Sequence, residues 1–205
     1  MAVKSSFKNM TICLFAICLV CSALLAGVYA LTAEPIAAAA AAKNEAAIKQ
    51  VLPDAAVTIE EERTVEMDGV TYTYNLAYDE PGNTVGCAIN VSSLGFGGPI
   101  SVKVGFDANG VIWNTKVLSQ SETPGLGAKC VEPAFSDQFK GFDPAQKKLS
   151  VKKDGGDVDA ITASTITSRA YSAARQTAVK VFQTIAGTPM PLDDYTGATV
   201  NTVEE

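Results

Sequence analysis

The chain contains no histidine. That excludes the commonest metal ligand, the usual general base and histidine-ligated haem together. The one Cys-x-x-Cys pair, Cys18-Leu19-Val20-Cys21, lies inside an apolar N-terminal stretch and none occurs beyond it, which leaves thiolate zinc, iron–sulfur and thioredoxin-like chemistry without a soluble site. Basic runs are missing too, and the formal net charge is −6, so nucleic acid is not an expected partner. Neither a metal site nor a set of catalytic residues is expected. Cys13, Cys18 and Cys21 fall in an apolar N-terminal stretch, leaving Cys87 and Cys130 beyond it. These two are expected as ordinary buried thiols rather than a disulfide.

What is present begins with an uncharged run from Met10 to Ala30, MTICLFAICLVCSALLAGVYA. About twenty apolar residues cross a bilayer as a helix. Lys4 and Lys8 precede the run and Glu34 follows it, which predicts an N-terminus inside and the remainder outside. Val28-Tyr29-Ala30 loosely fits a signal-peptide cleavage site, but the run is long for one, so a retained anchor is expected. Lipoprotein processing fits less well, because Ile17 and Val20 stand where a small residue should precede the lipidated Cys. Thr32 to Gln50 is rich in Ala, Lys, Glu and Gln, with Pro35 suited to a first turn, and reads as a stalk helix stopping at Pro53. The expected organisation is residues 1–9 in the cytoplasm, an anchor over 10–31, a stalk over 32–53, an extracytoplasmic domain over 54–190 and a tail over 191–205.

The middle of the chain alternates with period two. Val70, Tyr72, Tyr74, Leu76 and Tyr78 predict a half-buried strand. Val85 to Val91 and Ile100 to Phe106 repeat the pattern, and Asp107 to Gly110 turns into Val111 to Leu118 as a hairpin. Gly95-Phe96-Gly97-Gly98-Pro99 is a loop between strands, not a dinucleotide cradle, since no helix follows it. Phe135 to Phe142 is a short mixed stretch. From Thr167 apolar residues recur at helical spacing to Ile185, and Gly187 and Pro189 end the run. Strands in a block with helices at the ends predict an α+β fold: one transmembrane helix, then a compact domain with an antiparallel sheet and flanking helices.

Asp159-Ala160-Ile161-Thr162-Ala163-Ser164-Thr165 stands directly before that last helix. Small and hydroxylated residues at a helix N-terminus suit an anion, because unpaired backbone N–H groups and the helix dipole face it. Thr162, Ser164, Thr165, Thr167 and Ser168 supply further hydroxyls. Ordinary N-capping by Ser or Thr is the competing reading.

The segment resembles the flavinylation motif of an FMN-binding domain family. That family is shared by RnfG, from Rnf-type ion-translocating redox complexes, and NqrC, from sodium-translocating NADH:quinone reductases. The motif runs Asp, two variable residues, Ser or Thr, two small residues, then the acceptor Thr or Ser. Ala163-Ser164 stand where the family usually has Gly-Ala. A second stretch, Glu122-Thr123-Pro124-Gly125-Leu126-Gly127, is similar to an unbroken segment of the same family. By itself it reads as a tight turn. The likeness extends to the anchor, Glu34-Pro35-Ile36, Val51-Leu52-Pro53 and the Gly95–Pro99 loop.

The resemblance implies FMN joined as a phosphoester to Thr165 by a magnesium-dependent flavin transferase, with Thr162, Ser164 and Thr167 nearby. Gly125 and Gly127 would let the backbone approach the flavin, Leu126 would pack on its face, and Glu122, Thr123 and Lys129 would meet its edge. Thr165 is then a tether and not a nucleophile. The implied role is an electron-transfer subunit of a bacterial cytoplasmic-membrane Rnf complex working between ferredoxin and NAD, coupled to sodium or proton movement. Its partners would be the other subunits, the transferase and the lipid bilayer. An NqrC-type component of a quinone reductase, or a freestanding membrane-anchored FMN protein, are the alternatives. Asp193 to Thr199 repeats the motif with Gly197-Ala198 in the usual places. Thr165 is expected as the principal acceptor because a packed helix follows it, and Thr199 is kept as a second candidate.

Overall fold

A computed structural model describes residues 7–187, so the second motif copy and Thr199 lie outside the described residues. The chain divides into two compact units between Asn44 and Glu45.

The first unit consists of helix α1, Phe7–Val51, as far as Asn44. Every residue from Phe7 to Leu31 is exposed, including Leu14, Phe15, Leu19, Leu24 and Leu25. By length and composition this stretch can cross a membrane. Its polar side chains suit that setting: the Thr11 and Thr32 hydroxyls donate to the carbonyls of Phe7 and Val28, four residues back, at 3.0 and 2.8 Å. The helix runs unbroken through Pro35, where the sequence suggested a first turn. An interior proline loses one backbone bond and costs about 3 kcal/mol. The alanines that follow, the best helix formers, carry the helix on.

The second unit begins with the last turn of α1, where Ala47, Ile48 and Val51 are buried. Six strands follow: β1 Thr58–Ile59, β2 Arg63–Met67, β3 Val70–Tyr78, β4 Thr84–Leu94, β5 Pro99–Asp107 and β6 Ile112–Ser119. All pairings are antiparallel, in the order β1-β3-β4-β5-β6, with β2 also on β3. Asp68 and Gly69, both at positive φ, make the two-residue turn that joins β2 to β3. Asp107 shapes the β5–β6 turn by accepting the amides of Asn109 and Val111, each at 2.9 Å. Helix α2, Pro133–Ser136, and α3, Thr165–Ala186, complete the unit, with short 3-10 turns between them.

One face of the sheet carries Ile89, Val91, Ile100, Val102, Val104 and Phe106, and α3 closes over it. Ala170, Ala174 and Ala178 recur every four residues on α3, so its backbone approaches closely, and Phe182 stacks on Phe106 with ring centroids 5.0 Å apart. Cys87 and Cys130 are free thiols in this core. Burial pushes their pKa up to about 12 and about 11, so both stay protonated and inert. Arg175 is wholly buried between the Tyr171 and Phe139 rings, donating to the Tyr171 carbonyl and to Thr115 Oγ1. Burial lowers its pKa to about 10, which leaves it charged at neutral pH.

The opposite face departs from the expected half-buried pattern. Within β3 the two buried residues are Asn75 and Ala77, on the face where Ile48, Val51 and Leu52 pack with Ala77 and Ala88. Gly105 permits this crossing: a Cβ on it would strike the carbonyl of Val51. Asn114 Nδ2 donates to the Gln50 carbonyl at 2.9 Å and caps the end of α1.

Candidate functional site

Three segments far apart in sequence meet at the N-terminus of α3. Phe96 comes from the β4–β5 loop, Glu122 to Gly127 from the turn after β6, and Ala163 to Thr167 from the start of the helix. Together they line a cavity of about 390 Å³.

Thr165 is the first residue of α3 and is half-buried. Ser164 occupies the N-cap, at φ −134°, but its hydroxyl makes no capping bond. The simple capping explanation of the hydroxyl-rich segment therefore does not account for Ser164, and the first amides of the helix are not closed off by it. The hydroxyl of Ser168 holds the segment instead. It accepts the Ile161 amide and donates to the Ser164 carbonyl, both at 2.9 Å.

Ala163 lies at φ +60°, one of two non-glycine residues with positive φ among those described. This is the position where the family usually has glycine. An L-residue there costs about 1–2 kcal/mol. Glycine would remove that cost and give back about 0.5–1 kcal/mol of it in added freedom of the unfolded chain. Ala163→Gly is therefore expected to raise the melting temperature of the detergent-solubilised protein by about 2 °C. An unchanged or lower value would show that Ala163 is not strained.

Glu122 is 5% exposed and joins two of the walls. One carboxylate oxygen accepts the Thr167 hydroxyl at 2.6 Å and the other accepts the Gly97 amide at 3.0 Å. Gly127 stands beside this contact, and a Cβ on it would meet both Glu122 and Thr167 Oγ1. Gly125 differs: its φ of +76° demands glycine, but nothing lies within 4 Å of where its Cβ would be. One glycine of the turn thus serves space and the other backbone conformation.

Thr123, Leu126, Ser164 and Thr167 join Glu122, Gly127 and Thr165 in the cavity wall. Gly125 is not part of it. Lys129 and Thr162 line a neighbouring cavity with Gln138 and Asp159, because the 3-10 turn Gly127–Val131 carries Lys129 away from Leu126. Asp159 itself pairs with Lys152 at 2.8 Å on the surface. Its backbone N–H and carbonyl both bond to the side-chain amide of Gln138. It anchors the loop rather than lining the cavity.

Three contributors escaped the sequence reading. Phe96, 70% exposed, and Ile166, 53% exposed, add apolar surface at the mouth. Lys153 brings its ammonium to 3.5 Å from Thr165 Oγ1. It sits in the turn Lys152–Asp154, and Asp154 grips Arg169 of α3 through two bonds of 2.7 Å. A cation beside the Thr165 hydroxyl, with helix amides on the other side, is suited to a phosphate. Phe96, Leu126 and Ile166 are suited to a planar apolar ring. The residues present thus fit a flavin mononucleotide, phosphate at Thr165 and ring in the cavity.

Residues 95–180 match the family model described as FMN-binding domain, and residues 1–51 match the RnfG N-terminal region. The G subunit of the ion-translocating oxidoreductase complex of Methanosarcina acetivorans is 36% identical over 166 residues, 78% of this chain and 86% of its own length. The G subunit of the Na(+)-translocating ferredoxin:NAD(+) oxidoreductase complex of Acetobacterium woodii is 34% identical over 51% of this chain and 53% of its own. Among solved structures, Shewanella oneidensis NqrC is 23% identical, covering 65% of this chain and 70% of its own, with a TM-score of 0.48.

Proposed function

Because the chain belongs to the RnfG family of ion-translocating oxidoreductase complex subunits, we propose that it is the electron-carrying member of such a complex, holding FMN covalently on Thr165. The observation that carries this is the meeting of the two motifs in one cavity, with Thr165 at its edge beside Lys153. Bound FMN would supply acceptance and release of one or two electrons, while the protein supplies position and electrostatics. Attachment would join the Thr165 oxygen to the phosphorus of an activated flavin nucleotide, breaking that phosphorus's bond to its leaving group, which would depart as the hydroxyl gives up its proton. The product keeps a negative charge, which Lys153 and the amides of α3 stabilise. Leu126, Phe96 and Ile166 shield the ring from water. A covalent link suits a cofactor outside the cytoplasm, where a lost flavin would not be replaced.

The remaining assignments follow from the same reading. Phe7 to Leu31 anchors the chain in the cytoplasmic membrane, with residues 54–190 as an FMN domain outside. Other subunits of the complex, a flavin transferase and the bilayer are its partners, and electrons pass between ferredoxin and NAD through the assembly. No separate catalytic activity is assigned to the chain. An NqrC-type role in a quinone reductase is the less favoured reading, since the Methanosarcina relative, matched over most of its length, belongs to the RnfG side.

The test is intact-mass spectrometry of the chain produced with a flavin transferase. The expected mass is that of the uncleaved chain plus FMN less one water. A mass without flavin would overturn the cofactor assignment, and a mature chain beginning at Leu31 would overturn the anchor.

A further inference from the structure

Glu122 has more structure built around it than its place in a turn requires. Its hydrogen-bond partners lie 25 and 45 residues away along the chain. Two glycines leave room for its carboxylate, since a Cβ on Gly95 or on Gly127 would collide with it. A Cβ on Gly97 would collide with the carbonyl of Ser121, the residue just before it. Its own amide is held by Gln120 Oε1 at 2.6 Å. Among the described residues lining the cavity, Glu122 is also the one with an ionisable side chain. Its field reaches beyond the wall: after burial, it is the next largest influence raising the pKa of the Cys130 thiol.

A buried carboxylate is expensive, and a neutral side chain of the same shape would bridge the same partners. Glutamine could accept the Gly97 amide with its oxygen and donate from its nitrogen to Thr167 Oγ1. Shape alone therefore does not call for a charge. An electron entering a ring beside a fixed negative charge is opposed by that charge, the more so in a low dielectric.

We propose that Glu122 is a positioning residue that also sets the redox potential of the flavin, its carboxylate holding the potential down by opposing the charge each added electron brings. The Thr167 hydroxyl and the Gly97 amide spread that negative charge and limit its effect. Lys153 lies at the Thr165 end, 3.5 Å from Thr165 Oγ1, where the phosphate would sit. The inference rests on FMN occupying this cavity, as proposed above.

The experiment is spectroelectrochemical titration of the flavin-loaded full-length chain in detergent, comparing wild type with Glu122→Gln and Thr167→Val. Glu122→Gln deletes the charge and keeps both contacts. It is expected to favour reduction about tenfold per electron, an upward shift of about 59 mV. Thr167→Val keeps the charge but removes its strongest hydrogen bond, and its potential is expected to fall. A merely structural role would not move the two variants in opposite directions. Glu122→Gln within twofold of wild type, or both variants shifting the same way, overturns the proposal. If Glu122→Gln holds no flavin, Thr167→Val decides alone: a lower potential supports the role and an equal or higher one overturns it. A wild-type chain without flavin would instead overturn the cofactor assignment on which the inference rests.

Discussion

Thr165→Ala is expected to leave the chain without covalent flavin, while Thr199→Ala carries a full complement and transfers electrons at the wild-type rate. On the proposed reading the hydroxyl oxygen is the atom that bonds to phosphorus, so its removal would act all or none rather than by degrees. Sequence similarity alone would favour Thr199, whose motif has the usual Gly-Ala. The physical setting of Thr165 outweighs that likeness. It opens a helix of 22 residues, anchored by Ala170, Tyr171, Ala174 and Ala178 in the core, so the amides around it are fixed. Peptide mapping should find the FMN mass on the peptide containing Thr165. Its presence only on the peptide containing Thr199 would transfer the site and leave the family unchanged.

Gly127→Ala should be nearly as damaging, by a different route. The added methyl would meet Glu122 and Thr167 Oγ1, the second at 2.6 Å, in the middle of a buried hydrogen bond. Overpacking costs about 1–3 kcal/mol, and a separated buried acceptor costs a further ~1–3 kcal/mol. The Glu122 clasp should open, the cavity lose its shape, and flavin loading fall at least tenfold. Gly125→Ala supplies the contrast. It incurs about 1–2 kcal/mol of left-handed strain, yet its methyl meets nothing, so loading should persist. Thermal unfolding of the unloaded proteins together with flavin content per chain would check both. Equal loading in the two variants would refute the division of labour between these glycines.

Much of the sheet was legible because alternation is a local signal. β3, β4 and β5 each carry apolar residues at period two, and β6 was read from the Asp107–Gly110 turn before it. β2 was not legible: Arg63-Thr64-Val65-Glu66-Met67 mixes charge with only two inward side chains, as suits a short edge strand. The anchor, α3 and the two chemical motifs were read from composition and order. What escaped reading was direction and distance. Lys129 is two residues from Gly127 yet lines another cavity, because a 3-10 turn intervenes. Lys153 reaches Thr165 from a turn that the Asp154–Arg169 pair ties to α3, a contact no local pattern announces. The β4–β5 loop was set aside as a connector, since its glycines do not match a dinucleotide motif. Gly95 clears space for the Glu122 carboxylate and Gly97 for the Ser121 carbonyl, while the Gly97 amide donates to Glu122, 25 residues away.

Bonds within the chain shape the cavity: Thr167 and Gly97 donate to Glu122, Ile161 donates to Ser168, Ser168 donates to Ser164, and Arg169 donates to Asp154. These bonds order the segment around Thr165 as the chain folds, and the conformational entropy they cost is lost at that stage. On the proposed reading, a modifying enzyme would meet an ordered three-dimensional epitope instead of a flexible stretch of peptide. Recognition can include Phe96 and the Glu122 turn as well as the seven residues of the motif. A matching run of sequence elsewhere, lacking those neighbours, would present the same letters in a different shape.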